Sequence, residues 1–318
     1  MMGLWEWLSL PWQLGDWMWR GMLTVHLVAI ACAVLGVFLY LRRMSLISDA
    51  LAHVALPGIV VAFLISGSLE GPVMLAGAAG VGLLSAFAIE KLSQRPNMRS
   101  DAAIGIVFTS FFAVGVILLS TVVRDAHIDT HCVLFGDLLG VSDRTLWMVL
   151  TVVPVVLVLV AVFFRWLSAT SFDPRFAAAV GIPVAAVNYV LMAGVTVTAV
   201  AGFEAVGAIL VIALIIVPAA TAHLLADRLA TMMAFSVGHA VISCWAGMYA
   251  AIAWNTSAAG AIVVVGGILY LLAFLFAPSH GRLRMWFDAY FTDRSPGRRA
   301  RETNESGGRD PGSQYGEA

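Results

Sequence analysis

The chain has 318 residues, of which 61% are hydrophobic and 12% charged, and its formal net charge is −1. A mean hydropathy of +0.92 excludes an ordinary soluble domain, which has no use for so much apolar surface. Net charge near zero carries no basic signature, and no nucleic-acid partner is expected. The cysteines, Cys32, Cys132 and Cys244, are odd in number and widely spaced, so they build neither a disulfide framework nor a zinc ribbon. Cys32 and Cys244 lie in apolar runs and read as small packing residues.

In chain order, residues 1–20 come first as a Trp-rich segment, with Trp5, Trp7, Trp12, Trp17 and Trp19 beside Glu6 and Asp16. It lacks the basic start and smooth apolar core of a signal peptide and suits a membrane interface. From 21 to 278 the chain alternates polar breaks with apolar runs of about 20 residues, the length that crosses a hydrocarbon core. The runs are 22–41, 51–68, 72–91, 103–123, 145–167, 184–202, 205–225, 231–252 and 257–277. This predicts an all-α polytopic membrane protein with eight or nine transmembrane helices. Gly77, Gly80, Gly260 and Gly267 within the runs read as packing residues. Residues 279–318, rich in Arg, Gly, Ser, Glu and Pro, are expected to form a cytoplasmic, largely disordered basic tail.

Orientation follows from Lys and Arg. Alternate breaks hold Arg42 and Arg43, then Lys91, Arg95 and Arg99, then Arg175, then Arg228, then Arg282 and Arg284. These are expected in the cytoplasm, with the C-terminus. The opposite breaks hold little beyond Arg124 and Arg144. Nine crossings would leave the N-terminus outside; a further crossing or a re-entrant run would bring it inside.

The first break, R-R-M-S-L-I-S-D-A-L-A-H-V-A-L-P-G at 42–58, is the most informative. Asp49 and His53 stand four residues apart. On a helix that spacing rises about 6 Å and returns to the same face. Ionisable groups near membrane depth usually face a polar path or a partner. Carboxylate with imidazole is also ligand chemistry for a divalent first-row metal. The plainer alternative makes Asp49 a helix cap and His53 a packing histidine. H-I-D-T-H at 127–131 supplies His127, Asp129 and His131 as second-rank metal candidates on the expected external side, where solvated loop residues are the commoner case. Glu204, at the opening of the seventh run, reads as a loop residue or a contact for an external partner. His239, inside an apolar run, is expected to hydrogen-bond a neighbouring helix, and His223 is not assigned to metal.

Active transport needs an energy source. A phosphate-binding loop requires G-x-x-x-x-G-K-[ST]. Lys91, in A-I-E-K-L, is the sole lysine and has no glycine frame. Any ATP-driven mechanism therefore needs a separate subunit. The break S-F-D-P-R-F-A-A-A-V-G-I-P at 171–183 suits docking of such a subunit. Asp173 can cap a helix whose first position is Pro174. Phe176, Ala177 and Val180 would form an apolar face, Gly181 can end the helix, and Pro183 prevents its continuation. An ordinary amphipathic interface loop is the alternative.

Three stretches together resemble the permeases of the zinc/manganese/iron ABC importers (ABC-3 type metal permeases). They are the 42–58 motif; S-D-A-A-I-G-I-V-F-T-S-F-F-A-V-G at 100–115 with V-L-F-G-D-L-L-G-V at 133–141; and F-D-P-R-F-A-A-A-V-G at 172–181 continuing to E-A-V-G-A-I-L-V-I-A-L-I-I-V-P-A-A-T-A-H-L-L-A-D-R-L at 204–229. The resemblance implies a type II ABC importer-like permease of a prokaryotic inner membrane. Its partners would be a second permease copy (identical or a paralogue), cytoplasmic ATP-binding subunits and an extracytoplasmic metal-binding protein. The segment 172–181 would be its coupling helix, with Phe172, Asp173, Pro174, Phe176 and Gly181 facing the ATPase. Asp49 and His53 would line the metal path on the dimer axis. The cargo would be manganese or zinc, with iron as a third candidate. No cofactor is expected to be permanently bound, no catalytic residue is expected, and ATP would sit on the partner subunit. A gradient-driven transporter would favour more intramembrane carboxylates and repeat symmetry. An intramembrane metallohydrolase would need H-E-x-x-H, and D-A-L-A-H lacks its glutamate.

Overall fold

The computed structural model of the chain describes residues 15–44, 47–66, 72–122 and 140–277. Its regular elements are all helices: α1 (Asp16–Leu41), α2 (Ile47–Ser66), α3 (Pro72–Ser93), α4 (Ser100–Val122), α5 (Asp143–Phe172), α6 (Pro174–Ala179), α7 (Val184–Val206), α8 (Ala208–Leu225), α9 (Leu229–Trp254) and α10 (Ala258–Phe276). Among the described residues, nine are long and apolar enough to cross a membrane, and the short α6 is the exception. Helix is the natural solution here, because backbone groups in hydrocarbon must be satisfied within their own segment.

Local chemistry sets the helix ends. Ser142 caps α5, its Oγ accepting from the Thr145 amide at 3.1 Å. Asn255 ends α9 in the left-handed region at φ 50°. Gly207, at φ 88°, alone separates α7 from α8. That single-residue break corrects the sequence reading: Glu204 lies in the last turn of α7 and does not open the next run. The polar side chain looked like a boundary, but the backbone turns only where glycine allows positive φ. Similarly, α2 starts at Ile47 and carries Pro57 inside it, so Asp49 and His53 share one helix with the apolar run.

Helix α1 is the hub, packing on α5, α7, α8 and α9. Cys32, Leu35 and Phe38 on it are fully buried, as is Cys244 on α9. Gly36 brings α1 against α8: a Cβ there would lie 2.0 Å from the Ile215 carbonyl oxygen. Helices α2, α3 and α4 pack on one another, and α2 and α3 reach α7. Gly58 of α2 and Gly77 of α3 meet backbone to backbone, since a Cβ on Gly58 would lie 2.5 Å from the Gly77 carbonyl oxygen. Gly80 and Gly267, by contrast, have no neighbour within 4 Å of such a Cβ. The outward faces stay apolar, with Trp147, Val155 and Val162 on α5 and Val264, Ile268 and Leu271 on α10 exposed. Such faces fit lipid or a second subunit.

The bundle has two unlike ends. The end where α1 stops and α2 begins carries Arg42, Arg43, Lys91, Arg175 and Arg228, and is called the basic end below. At the opposite end Arg20 of α1 pairs with Asp143 of α5.

Candidate functional site

Asp49 lies in the first turn of α2 and His53 one turn further on. His53 lies six positions along the helix from Ile47, so the pair sits within about 10 Å of the basic end of α2. The His53 Nε2 and Asp49 Oδ1 are 3.8 Å apart, and the side chains are 40% and 51% exposed. That is too long for a hydrogen bond and well suited to a shared ion. Metal–donor bonds of about 2.1 Å place two donors of one tetrahedral ion about 3.4 Å apart, and about 4.2 Å is the limit for donors on opposite sides of any ion.

Helix α4 fixes the imidazole. The His53 ring lies 5.3 Å from the Phe108 ring and 5.5 Å from the Phe112 ring, centroid to centroid. Gly115 makes this approach possible: a Cβ there would lie 2.7 Å from Pro57 Cδ. On α4 the spacing 108, 112, 115 keeps one face toward α2. Among the described residues there is no group of three or more His, Cys, Asp or Glu side chains able to hold a metal. At this place the described residues bring together two side chains of metal-donor type, Asp49 and His53.

The other sequence candidates fall elsewhere. His127, Asp129 and His131 lie outside the described residues. Glu204 is exposed at the end of α7, where the positive charge of Arg144 on α5 acts on it. The His239 Nε2 stands 3.2 Å from the Gly266 carbonyl oxygen, linking α9 to α10 as expected. His223 packs its ring on Tyr40 at 5.1 Å. His26, which sequence reading passed over, stacks edge-on against Trp245 at 5.7 Å and approaches the Met22 carbonyl oxygen at 2.6 Å through Nδ1.

The short α6 follows the sequence closely. Asp173 Oδ1 accepts from the amides of Arg175 and Phe176 at 3.0 and 2.9 Å, and Pro174 occupies the first turn. Gly181, at φ 86°, ends the helix. The expected apolar face, however, divides. Ala177 is fully buried against the bundle, whereas Phe176 and Val180 are 62% and 56% exposed. Neighbouring residues on a helix point about 100° apart, so one of the three is drawn inward as the anchor. Phe172, Asp173, Pro174 and Gly181 are also exposed.

Sequence reading missed a polar cluster beside α6. Arg42, the residue capping α1, donates from Nε to Ser171 Oγ at 3.0 Å, from one terminal nitrogen to Thr170 Oγ1 at 2.7 Å, and from the other to Asn188 Oδ1. Asn188 Nδ2 donates onward to Glu90 Oε1 at 2.9 Å, which also accepts from Gln94 Nε2 at 3.1 Å. Glu90 is only 6% exposed. Burial pulls the Arg42 guanidinium down to about 10, opposed by the charge of Glu90, so it stays protonated at neutral pH. A signal was available: Glu90 and Asn188 sit in apolar runs, where polar groups demand partners.

Among the described residues, nine apolar helices, a carboxylate–imidazole pair near one end and an exposed short helix at that end describe a multi-pass membrane protein. The family model described as ABC 3 transport family matches residues 15–277. The chain belongs to that family. It is a transport subunit rather than an enzyme, with ATP hydrolysis in a separate subunit. It is 42% identical over 267 residues to the manganese transport system membrane protein MntD of Bacillus subtilis, covering 80% of this chain and 90% of that one. It is 39% identical over 268 residues to the zinc transport system membrane protein TroD of Treponema pallidum, covering 81% and 73%. Among solved structures it resembles PsaBC from Streptococcus pneumoniae in complex with Fab, with a TM-score of 0.76 and 32% identity over 89% of this chain and 99% of that one.

Proposed function

We propose that this chain is the membrane permease of an ATP-driven importer of manganese or zinc in a prokaryotic inner membrane, and that Asp49 and His53 line the path of the ion. The carrying observation is the pair itself: two metal-type donors 3.8 Å apart on one helix face, held by two aromatic rings. The names of the relatives support manganese or zinc as cargo. The family supports ATP-driven transport over gradient-driven transport and over intramembrane hydrolysis.

The ligand count argues for two copies. A divalent ion takes four to six donors in its usual shell, and the described residues of one chain bring two together at this place. Two permeases facing each other across an axis supply two carboxylates and two imidazoles, and water completes the shell. Such a set binds moderately, as a transported ion requires, and oxygen with nitrogen donors accepts either manganese or zinc. By the distribution of Lys and Arg, the basic end faces the cytoplasm, the C-terminus lies inside, and α6 meets the ATPase there. The opposite end of the bundle then faces outward, the side on which His127, Asp129 and His131, outside the described residues, would receive metal from an extracytoplasmic binding protein.

Asp49→Ala and His53→Ala, reconstituted with the ATPase and the binding protein in proteoliposomes, test this reading. Both are expected to assemble at wild-type level and to lose at least 90% of manganese or zinc uptake (about a 10-fold effect, equivalent to the ~1.4 kcal/mol that a single lost charged contact readily supplies). Full uptake by both variants would overturn it.

A further inference from the structure

Arg42 sits where two functional elements take root. Thr170 and Ser171, which it binds, form the last turn of α5; Phe172 follows, and then Asp173 caps α6. Arg42 itself closes α1 and leads through Arg43 and Met44 toward α2, which carries Asp49 and His53. The backbone there is bent sharply, with Arg43 at φ 57°. The guanidinium thus ties the end of α1, five positions before α2 begins, to the last turn of α5, directly ahead of the α6 cap. Asn188 on α7 and Glu90 on α3 hold it from the other side, at 2.9 Å between Asn188 Nδ2 and Glu90 Oε1.

Most contacts between these helices are apolar and resist sliding weakly. A planar fork with directed donors to three side chains does not tolerate sliding, because each shift of α5 breaks a charged hydrogen bond in a poorly solvated place. Lysine cannot replace it, since an ammonium lacks the planar fork.

We propose that Arg42 is a positioning residue that transmits motion of α6, imposed by the ATPase, to the metal-bearing helix α2. Asn188 and Glu90 keep the guanidinium seated. The proposal rests on reading α6 as the docking helix and α2 as part of the metal path.

The test uses the full complex of permease, ATPase and binding protein in proteoliposomes, with a cysteine-free permease as reference. Arg42→Lys is compared with Glu90→Gln, whose amide oxygen can still accept from Asn188 and Gln94. Manganese uptake, ATP hydrolysis and ATPase affinity are measured together. Spin labels then report nucleotide-dependent distances from α10 (Val264→Cys) to α2 (Ile65→Cys) and to α6 (Ala178→Cys). Arg42→Lys is expected to bind the ATPase normally and hydrolyse ATP, while uptake per ATP falls at least ~10-fold. The α6 label should still move and the α2 label should not. Glu90→Gln should keep most of the coupling. Equal loss of uptake and hydrolysis, tracking thermal stability, would make the cluster purely structural and overturn the proposal, as would wild-type coupling in Arg42→Lys. Should the reference complex itself take up neither manganese nor zinc, the transport reading falls. The label distances then decide: loss of the α2 movement in Arg42→Lys supports the link, and its persistence overturns it.

Discussion

Truncating Phe176 to alanine should detach the ATPase without unfolding α6. The side chain is 62% exposed on a helix whose neighbour Ala177 is fully buried. A phenylalanine carries about 200 Å² of surface. The exposed share is then about 120 Å², and at about 25 cal/mol per Å² its burial in a partner contributes up to ~3 kcal/mol. Each 1.4 kcal/mol is tenfold in affinity, so about a 100-fold weakening per docking site is expected. The helix should survive, because its cap uses the Asp173 carboxylate and the backbone amides of Arg175 and Phe176, not the ring. Alanine is also the better helix former. The assay is titration of purified ATPase onto detergent-solubilised permease, with fluorescence anisotropy as the readout. Phe176→Asp should go further, since it adds an unpaired charge to an apolar contact. Unchanged affinity in both variants would show that the ATPase does not use this face.

Two further outcomes follow from the packing. Gly36→Ala places a Cβ 2.0 Å from the Ile215 carbonyl oxygen, so the unfolding midpoint in detergent should drop by the equivalent of about 1–3 kcal/mol, while Gly80→Ala, with no neighbour within 4 Å, should hold or raise it. Removing both rings that hold His53, as Phe108→Ala with Phe112→Ala, frees one imidazole rotamer. It should raise the metal concentration for half-maximal uptake about 2- to 10-fold at unchanged protein level; an unchanged value would assign the rings to packing alone.

The sequence by itself determined most of what is local, the break at Gly207 excepted. Apolar runs long enough to span a bilayer became helices, because the backbone in hydrocarbon has no other partner. Asp173, Pro174 and Gly181 specified α6, since a cap, a first-turn proline and a positive-φ glycine act within one or two turns. Asp49 and His53 were legible as a same-face pair from their spacing alone. Tertiary structure decided what depends on which helices meet. Arg42 looked like a charge marking the cytoplasmic side, and Glu90 like a neighbour of the sole lysine. Only the convergence of α1, α3, α5 and α7 joins them through Asn188, nearly a hundred residues from Glu90 along the chain. Nothing in the apolar run of α4 singled out Phe108 and Phe112; the packing of α4 on α2 lays them on His53. On α6, helical spacing grouped Phe176 with Ala177, and packing separated them. The cause is the same each time: helix periodicity fixes which residues share a face, but an apolar chain gives nearly every face the same affinity for its neighbours. Glycine contacts such as Gly36 with Ile215 and Gly58 with Gly77 then select the partner and the register by allowing backbones to touch.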